Sequence, residues 1–319
     1  MTRSGGMSGS VTRELARIAG AERVCAEAPL APLTTFRIGG PAEWLVQLQD
    51  PDPIARLVEF ARSADLPLAV LGGGSNVLVA DRGVRGIVLR IHRGGCRRLD
   101  SERVRADAGL SLNGLVRWTV RHGLGGLEEW AGTPGCVGGA IHGNAHFRGK
   151  PMGDCVAGAL LLGRSGELRQ LTGDALEFGY DRSRIQRTGE VLLSADFRVA
   201  EADPARLREG ARRSLVYRKH TQPLALPSAG CVFQNPEEEA DELPERIPAS
   251  AGALIDRAGL KGWAVGGARV SAVHANFVVN EGGASAADVA ALVELCQRRV
   301  AERFGLSLLE EIVRLGEVE

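Results

Sequence analysis

Apolar residues along this chain change their period several times, and each change marks an element. After a polar start, Thr34-Thr35-Phe36-Arg37-Ile38-Gly39-Gly40-Pro41 leads into a strand-like run over 42–48. Ile54, Leu57, Val58 and Ala61 then recur at helical spacing behind Asp52 as cap and Pro53 at the first helical position. Pro67 opens a strand over 68–71 that runs into Leu71-Gly72-Gly73-Gly74-Ser75-Asn76. The stretch 42–76 therefore reads as a βαβ-like unit with a glycine loop at the strand's carboxyl end, where α/β proteins bind phosphates. The G-x-G-x-x-G spacing is absent, which argues against a dinucleotide-binding unit of that kind.

Further on, strands are expected at 87–91 and 104–108, then a helix over 112–122 with Leu112, Leu115, Val116 and Thr119 on one face. A hairpin follows at 156–162 and 168–171, turning through Arg164-Ser165-Gly166-Glu167, and a strand at 191–199. A boundary falls near 201–204, where Asp203 caps and Pro204 opens a helix to about residue 217. Beyond it the pattern predicts an acidic, solvated loop at 237–242, a helix over 250–258 closed by Gly259, and a strand at 275–279. Ser285 and Asp288 form a capping box ahead of Val289, Leu292, Val293, Cys296, Val300 and Phe304, and Gly305 ends that helix. A last strand is expected over 306–315. Alternating helix and strand followed by mostly strands gives an α+β fold.

One stretch resists either period. Residues 132–145 read G-T-P-G-C-V-G-G-A-I-H-G-N-A, poor in side chains to pack and so poor as helix or core strand. Glycine offers close backbone approach and positive φ, which bare N–H groups need to gather around an anion or a flat ring. Two such loops suggest a bulky phosphate-bearing cofactor; the plainer alternative is a pair of tight turns.

Composition bounds the rest. The chain has 319 residues, 44% of them hydrophobic and 24% charged, enough for two domains with real cores. Lys plus Arg equals Asp plus Glu at 39 each, so no net field favours nucleic acid or an anionic membrane. The 42 glycines are about twice the usual share, as a loop-rich cofactor site demands. The first ten residues lack a signal-peptide core and read as a disordered tail, with Met7 an alternative start. Six scattered cysteines without a C-x-x-C pair fit a reduced, cytoplasmic protein without structural zinc. His142 and His146 stand four apart, but Gly143 and Asn144 between them disfavour a helix and no third ligand is evident, so no metal is expected.

Chemistry-bearing residues concentrate after residue 217. Cys231 sits in Ser228-Ala229-Gly230-Cys231 ahead of Val232 and Phe233. A thiol near its usual value of about 8.5 is mostly protonated at neutral pH and can donate a proton; a core cysteine is the alternative. Lys219 could serve a phosphate and Asn235 a base or sugar, or each is an ordinary surface residue. On a strand over 306–315, Glu311 shares a face with Leu309 and Val313, a costly place for a carboxylate without a partner or a task. Arg182 is a candidate partner, or a surface arginine at a hairpin end.

Six motifs in order now carry a resemblance: T-T-F-R-I-G-G-P-A, L-G-G-G-S-N-V-L-V-A-D, A-G-T-P-G-C-V-G-G-A-I-H-G-N-A, Q-P-x-x-x-P-S-A-G-C-V-F-Q-N-P, A-G-x-L-I-D-R-A-G-L-K-G and a terminal L-x-x-E-I. Together, over about 31–316, they resemble the UDP-N-acetylenolpyruvoylglucosamine reductase family of peptidoglycan precursor synthesis, and so of cell wall biogenesis, cell shape and cell division. The resemblance implies an N-terminal lead-in at 1–30 and a two-subdomain, PCMH-type FAD-binding domain at 31–201, divided near 91. A smaller α+β substrate-binding domain at 202–319 would close over it. It implies FAD as cofactor and NADPH as reductant, with hydride passing to an enolpyruvyl UDP-sugar to give UDP-N-acetylmuramate, in a cytoplasmic monomer.

By the same resemblance Cys231 would be the proton donor, with Arg182 and Glu311 stabilising an enolate-like intermediate. Lys219, Asn235 and Ser228 would meet the UDP-sugar. Arg37, Gly72, Gly73, Gly74, Ser75, Asn76, Gly132, Thr133, Pro134, Gly135, Gly138, Gly139 and Asn144 would surround the FAD. The short stretch 237–250 implies the subtype without an extra tyrosine loop. Two departures stand out. The family has arginine directly after the tyrosine, as Y-R-x-S, but here the order is Tyr180-Asp181-Arg182-Ser183, which reverses the face of the arginine unless a bulge restores it or Arg184 or Arg37 substitutes. His146 stands where a small residue is commoner. An FAD-dependent oxidase of the same fold, or a nucleotide-binding module without turnover, are the competing readings.

Overall fold

The glycine-rich segment and the hydrophobic periods sort the chain into helices and small sheets in a computed structural model that describes residues 4–237 and 247–317. Two compact units emerge, and neither is contiguous. One comprises 1–28, 42–73 and 85–216; the other comprises 29–41, 74–84 and 217–319. The loop 71–76 is thus divided, with Gly73 closing one stretch of the first unit and Gly74 opening one of the second.

In the first unit a four-stranded sheet contains Val24–Pro29, Pro41–Leu48, Val84–Ile91 and Leu68–Leu71 in that order. Val84–Ile91 inserts beside Leu68–Leu71, parallel to it, so the βαβ-like reading gives the right elements and misses the intervening strand. The helix Pro51–Ser63 buries Ile54, Leu57, Val58 and Ala61, as expected from their spacing, although the cap position is Asp50 rather than Asp52. A five-stranded sheet orders Leu168–Thr172, Val156–Leu162, Val191–Arg198, Arg103–Asp107 and Cys96–Arg98, with the predicted hairpin in antiparallel register from Leu162↔Leu168 to Gly158↔Thr172. The helix Leu112–Arg121 puts Leu112, Leu115, Val116 and Thr119 into this unit's core, its N-terminus capped by Ser111 Oγ.

The second unit is built on the antiparallel strands Ser228–Cys231, Phe277–Asn280, Ala268–Val270 and Ala264–Val265. The helix Ala286–Phe304 covers a core that includes Val289, Leu292, Val293, Cys296 and Val300. Its capping box forms as read from the sequence, and Gly305 at φ +71° ends it. Asp81 adds a second cap, accepting from Ala286 N at 2.8 Å and Ala287 N at 3.0 Å.

Three expectations are corrected. The tail is not irregular from Ser4 onward, because Ser4–Ala19 is helical and buries Leu15 and Ile18. The segment 132–145 contains the short helix Val137–His142, packed so closely that a Cβ on Gly138 would stand 3.2 Å from the Ala108 carbonyl oxygen. Tertiary packing there overrides glycine's poor propensity. The final strand is only Val313–Leu315, parallel to Val77–Val79, and its buried apolar neighbours are Leu308 and Ile312, whereas Leu309 and Val313 are exposed. The apolar face argued for Glu311 is therefore absent. The acidic loop at 237–242 lies outside the described residues beyond Glu237.

Candidate active site

In the first unit the two glycine loops touch. A Cβ on Gly72 would strike the Cys136 sulfur, and one on Gly73 would lie 2.6 Å from the Gly135 Cα, so only glycine lets these backbones meet. Asn113 fixes the second loop from both sides, accepting from Gly132 N at 2.7 Å and donating to the Thr133 carbonyl at 3.0 Å. Cys136 caps the following helix, its sulfur accepting from Gly139 N at 3.5 Å. Val137 N and Gly138 N are taken by the Leu110 and Ala108 carbonyls. What stays bare is informative: the main-chain N–H groups of Gly72, Gly73, Gly135 and Cys136 donate to no acceptor among the described residues. Donors gathered where two loops meet are what a pyrophosphate or the polar edge of a flat ring requires.

Asn144, at φ +43°, is used differently from the expectation of a cofactor contact. Its amide is shared between the Gly179 carbonyl at 2.7 Å and Gly153 N at 2.8 Å, which fastens the end of the glycine segment to the turn at 179–183. Ser183 Oγ reinforces this by donating to the His142 carbonyl at 2.7 Å. His142 ends the short helix and burial pushes its pKa down, while His146 begins the strand His146–Phe147, so the two do not form a helical pair.

Arg182 lies exposed on a tight turn, with its side chain folded over Gly179. Arg184 is engaged with the Glu190 carboxylate, Nε to Oε2 at 2.9 Å. Arg37, at φ +57°, is exposed in the second unit and its N–H donates to Thr34 Oγ1 at 3.0 Å.

In the second unit Cys231 ends the strand Ser228–Cys231, whose pairing slips between Ser228↔Val279 and Cys231↔Phe277. Gly230 at φ +84° makes this bulge, re-aiming the thiol and leaving it half-buried. Beside it stands a residue that reading by motif missed. Arg218 is only 5% exposed; burial pulls its pKa down to about 10 against the opposing charges of Cys231 and Tyr217. A signal existed, because Leu207, Ser214 and Arg218 recur at helical spacing and all are buried along the helix Pro204–Thr221. Lys219 on the same helix is exposed. Asn235 Oδ1 accepts from Ala251 N at 3.1 Å, Ser228 offers its carbonyl to Thr35 Oγ1 at 2.7 Å, and Thr35 N reaches the Gly74 carbonyl at 2.9 Å. Asn76 Nδ2 donates to the Glu311 carbonyl at 3.0 Å, and Glu311 N to the Val232 carbonyl at 2.8 Å, so Glu311 is tied to both the glycine loop's end and the residue after Cys231. Among the described residues no helix is long and apolar enough to cross a membrane.

Comparison with known proteins agrees with this picture. Residues 42–172 match an FAD binding domain and residues 222–315 the C-terminal domain of UDP-N-acetylenolpyruvoylglucosamine reductase. The reductase of that name from Heliobacterium modesticaldum is 40% identical over 91% of this chain and 90% of its own, and that from Bacillus subtilis 36% identical over 92% and 94%. The crystal structure of the Thermus caldophilus enzyme aligns with a TM-score of 0.73 and 32% identity, covering 92% of this chain and 98% of the other. The bare amides of Gly72, Gly73, Gly135 and Cys136 fit the FAD that the first match implies. With a flavin-binding fold, a thiol on a bulged strand and near full-length identity of this order, the chain belongs to the UDP-N-acetylenolpyruvoylglucosamine reductase family.

Proposed function

We propose that this protein, as a cytoplasmic monomer, reduces the enolpyruvyl ether of UDP-N-acetylglucosamine to UDP-N-acetylmuramate with NADPH. The observation that carries the reading is Cys231 on its glycine bulge beside the buried Arg218, within a chain of this family. Bound FAD would supply hydride chemistry, accepting hydride from NADPH and delivering it to the terminal carbon of the enolpyruvyl double bond. The amides of Gly72, Gly73, Gly135 and Cys136 would hold it, with Asn113 and Asn144 keeping their loops in place.

Hydride addition leaves an electron pair on the carbon next to the substrate carboxylate, delocalised as an enolate that needs stabilisation and then a proton. The Cys231 thiol gives that proton to carbon, and the thiolate left behind is steadied by the Arg218 guanidinium until water reprotonates it. Glu311, placed by main-chain bonds to Asn76 and Val232, is the carboxyl group of the site. Lys219, Asn235 and Ser228 serve the UDP-sugar.

Purified protein should be yellow, and its NADPH oxidation should rise on adding the enolpyruvyl UDP-sugar. Oxygen uptake independent of that sugar would instead indicate the oxidase. Cys231→Ala should leave reduction by NADPH intact and slow reoxidation by substrate at least ~100-fold, the scale of a lost general acid. Cys231→Ser should recover part of the rate. Stopped-flow absorbance at the flavin band separates the half-reactions, and equal loss of both would remove Cys231 from this role.

A further inference from the structure

The turn at 179–183 carries a buried acid that the chemistry above does not use. Gly179 N donates to the Arg182 carbonyl at 3.0 Å and Arg182 N to the Gly179 carbonyl at 3.3 Å, with Asp181 held at φ +51° between them. This geometry turns Arg182 outward and Asp181 inward. The Asp181 side chain is 6% exposed, its Oδ1 lies 2.9 Å from His146 Nδ1, and its Oδ2 has no hydrogen-bond partner among the described residues. The Tyr180 ring stands 5.0 Å from the His146 ring. The bonds from Asn144 to Gly179 and from Ser183 to His142 clamp the two backbones on either side of the pair. A left-handed aspartate and a half-satisfied buried carboxylate both cost stability, and neighbouring packing needs neither. Such costs persist where a task retains them.

We propose that His146, held by Asp181, is the cationic hydrogen-bond donor of the active site, in the part that the family gives to an arginine directly after the tyrosine. This rests on the reductase reading above. Asp181 occupies that arginine's place in the sequence and brings no positive charge, while the departure at His146 supplies an imidazole. With Nδ1–H given to the carboxylate, the ring is fixed in orientation and presents Nε2. Protonated there, it donates to the substrate carboxylate as negative charge gathers on it after hydride addition. The ring makes and breaks no bond to carbon, and the proton that completes the product still comes from Cys231. Asp181 acts through the ring and is a positioning residue.

The test follows holoenzyme prereduced with NADPH and reoxidised by the enolpyruvyl UDP-sugar, with calorimetric binding of UDP-N-acetylmuramate as a second readout. His146→Gln keeps a polar group against Asp181 and should fold, yet reoxidation should slow about 100-fold and product bind about tenfold more weakly. Reduction by NADPH should stay within about twofold. Joining His146→Gly to Asp181→Arg returns a cation from the other side, and should regain at least about tenfold over His146→Gly alone, which restored packing would not do. Wild-type reoxidation rate and product affinity in His146→Gln would overturn the assignment, as would a folded double variant no faster than His146→Gly. Failure of wild-type protein to be reoxidised by the UDP-sugar would instead sink the reductase reading, and this assignment with it.

Discussion

Two carboxylates nine residues apart in the first unit are buried to the same depth and treated in opposite ways. Glu190 is 4% exposed at its side chain, and both oxygens are satisfied: Oε2 accepts from Arg184 Nε at 2.9 Å and Thr188 Oγ1 at 2.7 Å, Oε1 from Arg169 Nη1 at 3.3 Å and Arg184 Nη2 at 3.4 Å. Asp181, 6% exposed, has a ring nitrogen on one oxygen and no partner on the other among the described residues. A closed network holds a fold together; an acid left half open beside a histidine is better explained by what must bind there.

The largest effect expected from this contrast is on stability. Glu190→Ala removes the hub of four hydrogen bonds and strands two arginines, which should cost about 3 kcal/mol. For a unit of this size that lowers Tm by about 5–12 °C. Asp181→Ala should cost about 1 kcal/mol or less, since only one bond is lost and an unpaired oxygen leaves with it. Thermal unfolding of the two variants checks the contrast, which collapses if they melt together.

Much of the fold could be read beforehand because local signals agreed with packing. Ser285, Asp288 and Gly305 mark both ends of one helix, and Ile54, Leu57, Val58 and Ala61 mark the buried face of another. Where a distant contact decides, the reading fails. Gly138 enters a helix only because Ala108 lies against it, and Leu309 faces outward because Leu308 and Ile312 take the core positions. The site divides likewise. Bare amides follow from glycine itself and were legible. The inward turn of Asp181 was not, because it depends on one positive φ that an aspartate adopts only when its neighbours are clamped. Arg218 was hidden by the exposed Leu215 and Val216 beside it, which draw attention to the wrong face of their helix.

A pH series sharpens the contrast with a smaller effect. Burial alone would raise the Glu190 pKa, but hydrogen bonds from Arg184 and Thr188, with the charges of Arg184 and Arg169, outweigh it and the net shift is downward from 4.5. A carboxylate depressed in the folded state contributes stability that is fully present above its unfolded value and is lost as pH falls through the folded one. Wild-type protein should therefore lose Tm faster below about pH 4.5 than Glu190→Gln does, and the two should run parallel above about pH 6. Parallel curves throughout would mean that Glu190 is not the depressed group.

The smallest effect isolates one bond of the closed network. Thr188 Oγ1 donates to Glu190 Oε2 at 2.7 Å while its own neighbourhood is only half buried, so Thr188→Ala removes a donor without opening a cavity. The carboxylate keeps both contacts from Arg184 and one from Arg169, so no charge is left bare. The loss should be about 1 kcal/mol, the usual value for a single hydrogen bond to an acceptor that retains others. Activity of the folded enzyme should stay within about twofold, because nothing in this network reaches the glycine loops or His146. Thr188→Ser keeps the hydroxyl and should recover most of the stability in denaturant titration. A Thr188→Ala loss as large as that of Glu190→Ala would mean that the cluster depends on the hydroxyl to orient the carboxylate, and that its closure is a matter of geometry more than of charge.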